Sequence, residues 1–208
     1  MAGVLVIEAD LVQRCRAGDR EAQHEFYVRT VERIRAVLWR IARDDDLTAD
    51  LIQQTYLRAF TAFATFDGRA APSTWLYRIA VNTALEHLRR MRPETMDPTK
   101  ADARALAVDG RAASDARLDL DAALRRLSVE DRAILVLRYQ QGLGYAAIAE
   151  VCDVAGGTVG ARLSRARERL RALLGEKSGR SQDRQAAAHP TDQHATAVGR
   201  PTDAECEE

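Results

Sequence analysis

The chain has 208 residues, 46% of them hydrophobic and 30% charged, the balance of a soluble globular protein of one or two small domains with charged helix surfaces. Its 31 lysines and arginines match 31 aspartates and glutamates, so no overall basic bias announces a nucleic-acid partner. No apolar run approaches the ~18 residues of a membrane span, and the opening MAGVLVIEAD lacks the basic start and long apolar stretch of a signal peptide; a cytoplasmic protein without membrane insertion is expected.

Helical periodicity runs through the chain and strict strand alternation is missing, which predicts an all-α fold. Asp10 is placed to cap a short helix that Gly18 ends. Asp19 then caps a long one, along which Phe26, Tyr27, Ile34, Val37, Leu38 and Ile41 recur at helical steps as a buried stripe. A third helix is predicted from about Leu47 to Ala64, with Ile52, Tyr56, Ala59 and Phe63 inward and Asp50, Gln53, Gln54, Leu57 and Arg58 elsewhere. An acid, two amides and a leucine on one outer face suit the docking of another helix. The segment FDGRAAPS, Phe66 to Ser73, interrupts the pattern, and Ser73 is placed to cap a fourth helix from Thr74 to Met91. On that helix Arg78, Asn82 and Arg89 share a face; a buried packing amide is the alternative for Asn82, and Trp75 reads as core. Residues 1–92 thus form a four-helix bundle.

A stretch with two prolines and no sustained apolar period follows, and residues 93–117 read as a flexible linker. In the second domain, 118–175, Ser128 and Asp131 form a capping-box variant that opens EDRAILVLRYQQ, which Gly142 ends. GYAAIAEVC, a break at DVAGG and TVGARLSRARERLRALL then make a helix-turn-helix, whose second helix enters a DNA major groove. Val159, Leu163, Ala166, Leu170 and Leu173 give that helix a core face, leaving Thr158, Arg162, Arg165 and Arg169 outward. Five arginines between 162 and 171 stand against the single acid Glu168. Residues 176–208 are expected to be a disordered acidic tail, with seven acids against four bases, so the rest of the chain carries +3.

Nothing points to bond chemistry. Cys15, Cys152 and Cys206 form no C-x-x-C pair, and His24, His87, His189 and His194 lie in no ligand spacing. There is no P-loop or nucleophile motif, so no enzyme, metal, cofactor or small-molecule substrate is expected.

A helix-turn-helix alone would equally fit a ligand-sensing repressor. However, DLIQQTYLRAF, STWLYRIAVNTALEHLRR and GYAAIAEVCDVAGGTVGARLSRARERLR, in this order and spacing, together resemble regions 2 and 4 of RNA polymerase sigma factors of the extracytoplasmic-function (ECF) group. LVQRCRAGDREAQHEFYVR and LRRLSVEDRAILVLRYQQGLGY extend the resemblance to nearly all of residues 10–174 outside the linker. It implies a region 2 bundle and a region 4 helix-turn-helix. It also implies a polymerase core partner (β′ clamp and β flap), promoter DNA, an anti-sigma protein, and promoter recognition and melting. Carried over by residue, Asp50, Gln53, Gln54 and Leu57 bind core, while Asp67, Arg69, Ser73, Arg78, Asn82 and Arg89 serve the minus-10 element. Thr158, Arg162, Arg165 and Arg169 serve the minus-35 element. Two departures stand out: Gln54 where the family commonly has Glu, and GTVGAR where it often has GTVKSR, so that Gly160 removes a cation.

Overall fold

The computed structural model describes residues 7–91 and 115–187, and every regular element among them is a helix. The first is α1, Ala9–Arg16, with Glu8 at its N-cap position. Asp10 therefore sits inside the first turn, where a carboxylate favours the positive helix end, and not at the cap. Asp19 does cap α2, Arg20–Ala42, accepting from the backbone N–H of Glu21 and Ala22 at 2.9 and 3.1 Å. Asp44 caps α3, Asp45–Ala62, through the Leu47 N–H at 2.8 Å, so this helix begins two residues before Leu47.

The helices α2 and α3 are pinned by a buried 2.6 Å hydrogen bond between the Thr30 and Tyr56 hydroxyls. Burial pushes the Tyr56 phenol well up. Tyr27, expected in the buried stripe, lies at its rim with 37% exposure and packs edge-on against Tyr56. A 3₁₀ turn, Phe63–Thr65, ends α3. Phe63 and Phe66 hold Trp75 between them with ring centroids 4.9 and 5.0 Å away, so Trp75 packs with the core. The helix α4, Pro72–Met91, starts with proline at its first position, where the missing N–H leaves no bond unmade. Ser73 is thus a buried residue of the first turn and not the cap.

The expected linker falls mostly outside the described residues, and its last positions already belong to α5, Asp115–Arg125. Ser128 caps α6, Val129–Leu135, by accepting from the Asp131 N–H at 3.1 Å; a π turn, Val136–Gln140, continues it. Tyr145–Cys152 is α7, and Asp153 ends it in the left-handed conformation with φ of 52°. The last helix, α8, runs Gly156–Ala187, twelve residues past the point where the tail was expected to lose structure. Lys177, Arg180, Gln182, Arg184, Gln185, Ala186 and Ala187 are fair helix formers there, against the poorer formers Ser178, Gly179, Ser181 and Asp183. Val159, Leu163 and Ala166 are buried and Leu170 and Leu173 half-buried, so the expected core face of α8 faces the core. The helices α1–α4 and α5–α8 form two bundles that pack against one another, chiefly α4 on α7 and α2 on α6.

Candidate nucleic-acid interface

Asp50, Gln53 and Leu57 follow one another at three- and four-residue steps on the outer side of α3. All three are exposed, Leu57 to 68%, while Gln54 is half-buried beside them. Leu57 is thus a large apolar side chain left open beside an acid and amides. Arg58 does not join it: its guanidinium turns to Glu86 of α4 at 2.8 Å and holds that carboxyl below its usual range.

The turn before α4 closes on itself. Asp67 accepts from the Arg69 N–H at 3.1 Å and pairs with the Arg69 Nε at 2.8 Å, over Gly68, whose φ of 75° favours glycine. On α4, Arg78, Asn82 and Arg89 line up on one face, as expected. Asn82 is exposed, which removes the alternative of a buried packing amide. Ser73, buried at the base of the helix, is set apart from this face.

These groups of α4 look onto the other bundle. Arg89 donates through Nε and Nη2 to the Glu130 carboxylate of α6 at 3.1 and 3.0 Å, and Arg78 lies 3.9 Å from Asp153 at the end of α7. Asn82, Leu85 and Arg89 share a cavity of about 330 Å³ with Glu130, Cys152, Asp153 and Arg162. Burial pushes the Cys152 thiol, at the wall of that cavity, up to about 11, so it is protonated at neutral pH.

On α8, Arg162 is half-buried toward this cavity, and Thr158 is half-buried in the first turn. Arg165 is exposed, and Arg169 donates to the Asp131 carboxylate of α6 at 3.1 Å. Asp131 consequently serves two elements, its N–H at the Ser128 cap and its carboxylate on α8, where the sequence suggested only the capping box. A Cβ at Gly160 would meet the Tyr145 ring at 3.7 Å, an ordinary contact, so packing leaves room there for a side chain. Sequence reasoning missed Glu130, Asp131 and Asp153 as partners of these arginines, because sequence spacing carries no signal of contacts between helices so far apart.

Among the described residues no group of three or more His, Cys, Asp or Glu is placed to hold a metal ion, and no helix is long and apolar enough to cross a membrane. His189, His194 and Cys206 lie outside the described residues.

An open acid–amide–leucine face on one bundle and a helix-turn-helix on the other agree with what sequence comparison finds. The family models for Sigma-70 region 2 and Sigma-70, region 4 match residues 26–94 and 117–170. The RNA polymerase sigma-H factor of Pseudomonas aeruginosa is 34% identical over 177 residues, covering 78% of this chain and 91% of the relative. The chain belongs to the sigma-70 family, as an ECF RNA polymerase sigma factor. The ECF RNA polymerase sigma factor SigM of Mycobacterium tuberculosis is 35% identical over 168 residues, covering 81% of this chain and 85% of the relative. Escherichia coli ECF RNA polymerase sigma-E factor is 32% identical over 173 residues, covering 77% and 90%.

Solved structures agree. The Bartonella quintana sigma factor RpoE, in complex with the anti-sigma factor NepR, superposes with a TM-score of 0.61 at 27% identity, covering 73% of this chain and 96% of that one. CnrH in complex with the cytosolic domain of CnrY shares the fold, with a TM-score of 0.61 at 24% identity and coverage of 80% and 96%. As a sigma factor the chain acts in promoter recognition with RNA polymerase. The region 2 match runs from within α2 to the end of α4, and the region 4 match from within α5 into α8.

Proposed function

We propose that the sigma factor docks on core polymerase through Asp50, Gln53, Gln54 and Leu57 and reads promoter DNA through two separate surfaces. The open Leu57 face of α3 is the observation that carries this reading, since a 68% exposed leucine beside hydrogen-bonding groups gains most from a helical partner such as the β′ clamp coiled coil. Gln54 offers amide hydrogen bonds there but no ion pair.

At the minus-10 element, melting needs a surface that recovers the few kcal/mol of unstacking a base. Arg78, Asn82 and Arg89 supply cations and an amide for the single strand, with Asp67 and Arg69 in the turn before α4. Ser73 contributes by setting the start of α4, since its burial keeps it from a base. At the minus-35 element, Arg165 and Arg169 meet phosphates or guanine edges from α8, with Thr158 and Arg162 nearer the turn. The protein works in the cytoplasm and catalyses no step itself. Solved neighbours bound to anti-sigma factors support an anti-sigma partner for this chain as well.

The test is in vitro transcription with purified core polymerase on genomic fragments. Discrete start sites appearing only when the chain is added are expected. Start sites independent of it, or none with it, contradict the reading.

A further inference from the structure

Buried positive charge gathers where the C-terminal end of α2 meets α5 and α6, and none of it is used by the proposed polymerase or promoter contacts. Arg132 of α6, 7% exposed, donates from Nη1 to the Ile41 carbonyl at 2.6 Å and from Nη2 to the Leu127 carbonyl at 3.2 Å. Both acceptors are neutral, and the carbonyls at a helix end carry only part of a negative charge. Just past that end, Arg43 is 4% exposed, adopts φ of 61°, stacks over the Trp39 ring at 4.6 Å and pairs with Asp121 of α5.

The charges do not balance there. Arg132 feels two cations, Arg43 and Arg125, against one acid, Glu130. Glu130 is already held by Arg89 at 3.0 Å, and Asp121, its side chain 34% exposed, is held by Arg43. Burial first, and then Arg43 and Arg125, push the Arg132 guanidinium down to about 10, which leaves it charged at neutral pH. Arg43 Nε and Nη1 and Arg132 Nε meet no acceptor of the protein. Buried donors of this kind are satisfied in native proteins by water or by an ion. Water would accept from these N–H groups but leave the excess positive charge in place, whereas an anion supplies both the acceptor and the counter-charge.

We propose that Arg43 and Arg132 form a binding site for a small inorganic anion of the chloride class, which bridges the end of α2 to α6. The size follows from the surroundings: Ile41 and Leu127 beside the site are 0% and 2% exposed, so room is scarce. A spherical anion accepts N–H groups from any direction, while a tetrahedral phosphate brings more oxygens than these donors can satisfy. Because the anion binds the folded chain, the packing of α6 on α2 gains stability as its concentration rises.

The test melts the full chain in sodium chloride raised from about 10 to about 300 mM, with sodium gluconate holding ionic strength constant; the wild-type melting temperature rises by about 3 °C or more. Arg43→Met and Arg132→Met each lose that rise, whereas Arg35→Met, which removes an exposed cation of α2 beside Glu32, keeps it. The chloride NMR signal broadens in the presence of wild type, narrows again when bromide is added, and broadens about fivefold less with Arg43→Met. Should Arg132→Met fail to fold, Arg43→Met carries the comparison, since it leaves both carbonyl bonds of Arg132 in place.

A wild-type melting temperature indifferent to chloride means that water satisfies these donors, and it overturns the site. A rise that survives in Arg43→Met, or one that follows inorganic phosphate and not chloride, overturns it equally.

Discussion

The outer face of α3 and the facing side of α4 belong to the same bundle and are treated oppositely by the fold. On α3, Asp50, Gln53 and Leu57 stand open. On α4, Arg78 and Arg89 already face carboxylates of region 4. Exposed ion pairs of this kind contribute about 0–1 kcal/mol each, so they are easily exchanged for a stronger anion. On the proposed reading, a protein partner engages the open α3 face directly, while DNA on α4 exchanges with Glu130 and Asp153 for Arg89 and Arg78.

Substitutions on the two faces sharpen this contrast. The largest effect is expected for Leu57→Asp, which puts a charge at the centre of the proposed docking face: core binding weakens by about 2 kcal/mol or more, roughly thirtyfold, by fluorescence anisotropy. Its melting temperature stays near wild type because Leu57 makes little of the bundle core. Arg89→Ala should leave core binding intact and slow promoter opening about tenfold, read with a fluorescent base at the minus-10 element. If Arg89→Ala weakened core binding as much as Leu57→Asp, the two faces would not be separate.

Gln54→Glu adds a charge at the rim of the α3 face and should tighten core binding a few-fold, an effect that fades as salt rises. No gain at low salt would remove the ion-pair explanation of the Gln54 departure. The smallest effect is Gly160→Ala. With room toward Tyr145 and a helix-interior position, it should raise stability by about 0.5–1 kcal/mol, measured by thermal melting. A destabilised Gly160→Ala would mean that the start of α8 needs glycine for its backbone.

Alkaline pH offers a check on the region 4 side of the cavity. The Cys152 thiol is raised by burial from 9.0 to about 11, so between those values the unfolded chain loses a proton that the folded chain keeps. Stability should therefore fall as pH rises from 9 to 11, and Cys152→Ala should flatten part of that slope in urea melts.

Much of the fold is legible in the amino-acid sequence, because it depends on short-range rules. Asp19 caps α2 through N–H groups two and three residues on, and the stripe from Val159 to Leu173 needs only helical period. Ser73 misleads because a serine before an apolar run looks like a cap, while Pro72 already occupies the first helical position. Tyr27 misleads because a ring at the edge of a stripe keeps the period yet packs with one side to solvent. The faces of α3, α4 and α8 are readable as faces; which groups meet across them is not. Arg43 and Arg132 look like ordinary helix-end and helix-surface cations, and only the approach of α6 to the end of α2 turns them inward.

The central claim is that the proposed polymerase face on α3 stands open in the chain alone, whereas Arg78 and Arg89 of the proposed promoter face already meet carboxylates of region 4. Its most direct test measures two affinities in one buffer: of the chain for core polymerase, and of the chain for promoter DNA with and without core. The account predicts tight core binding without DNA, and promoter binding that strengthens about a hundredfold or more once core is present, by roughly 2.7 kcal/mol. A chain that binds its promoter alone as tightly as the holoenzyme does would contradict it.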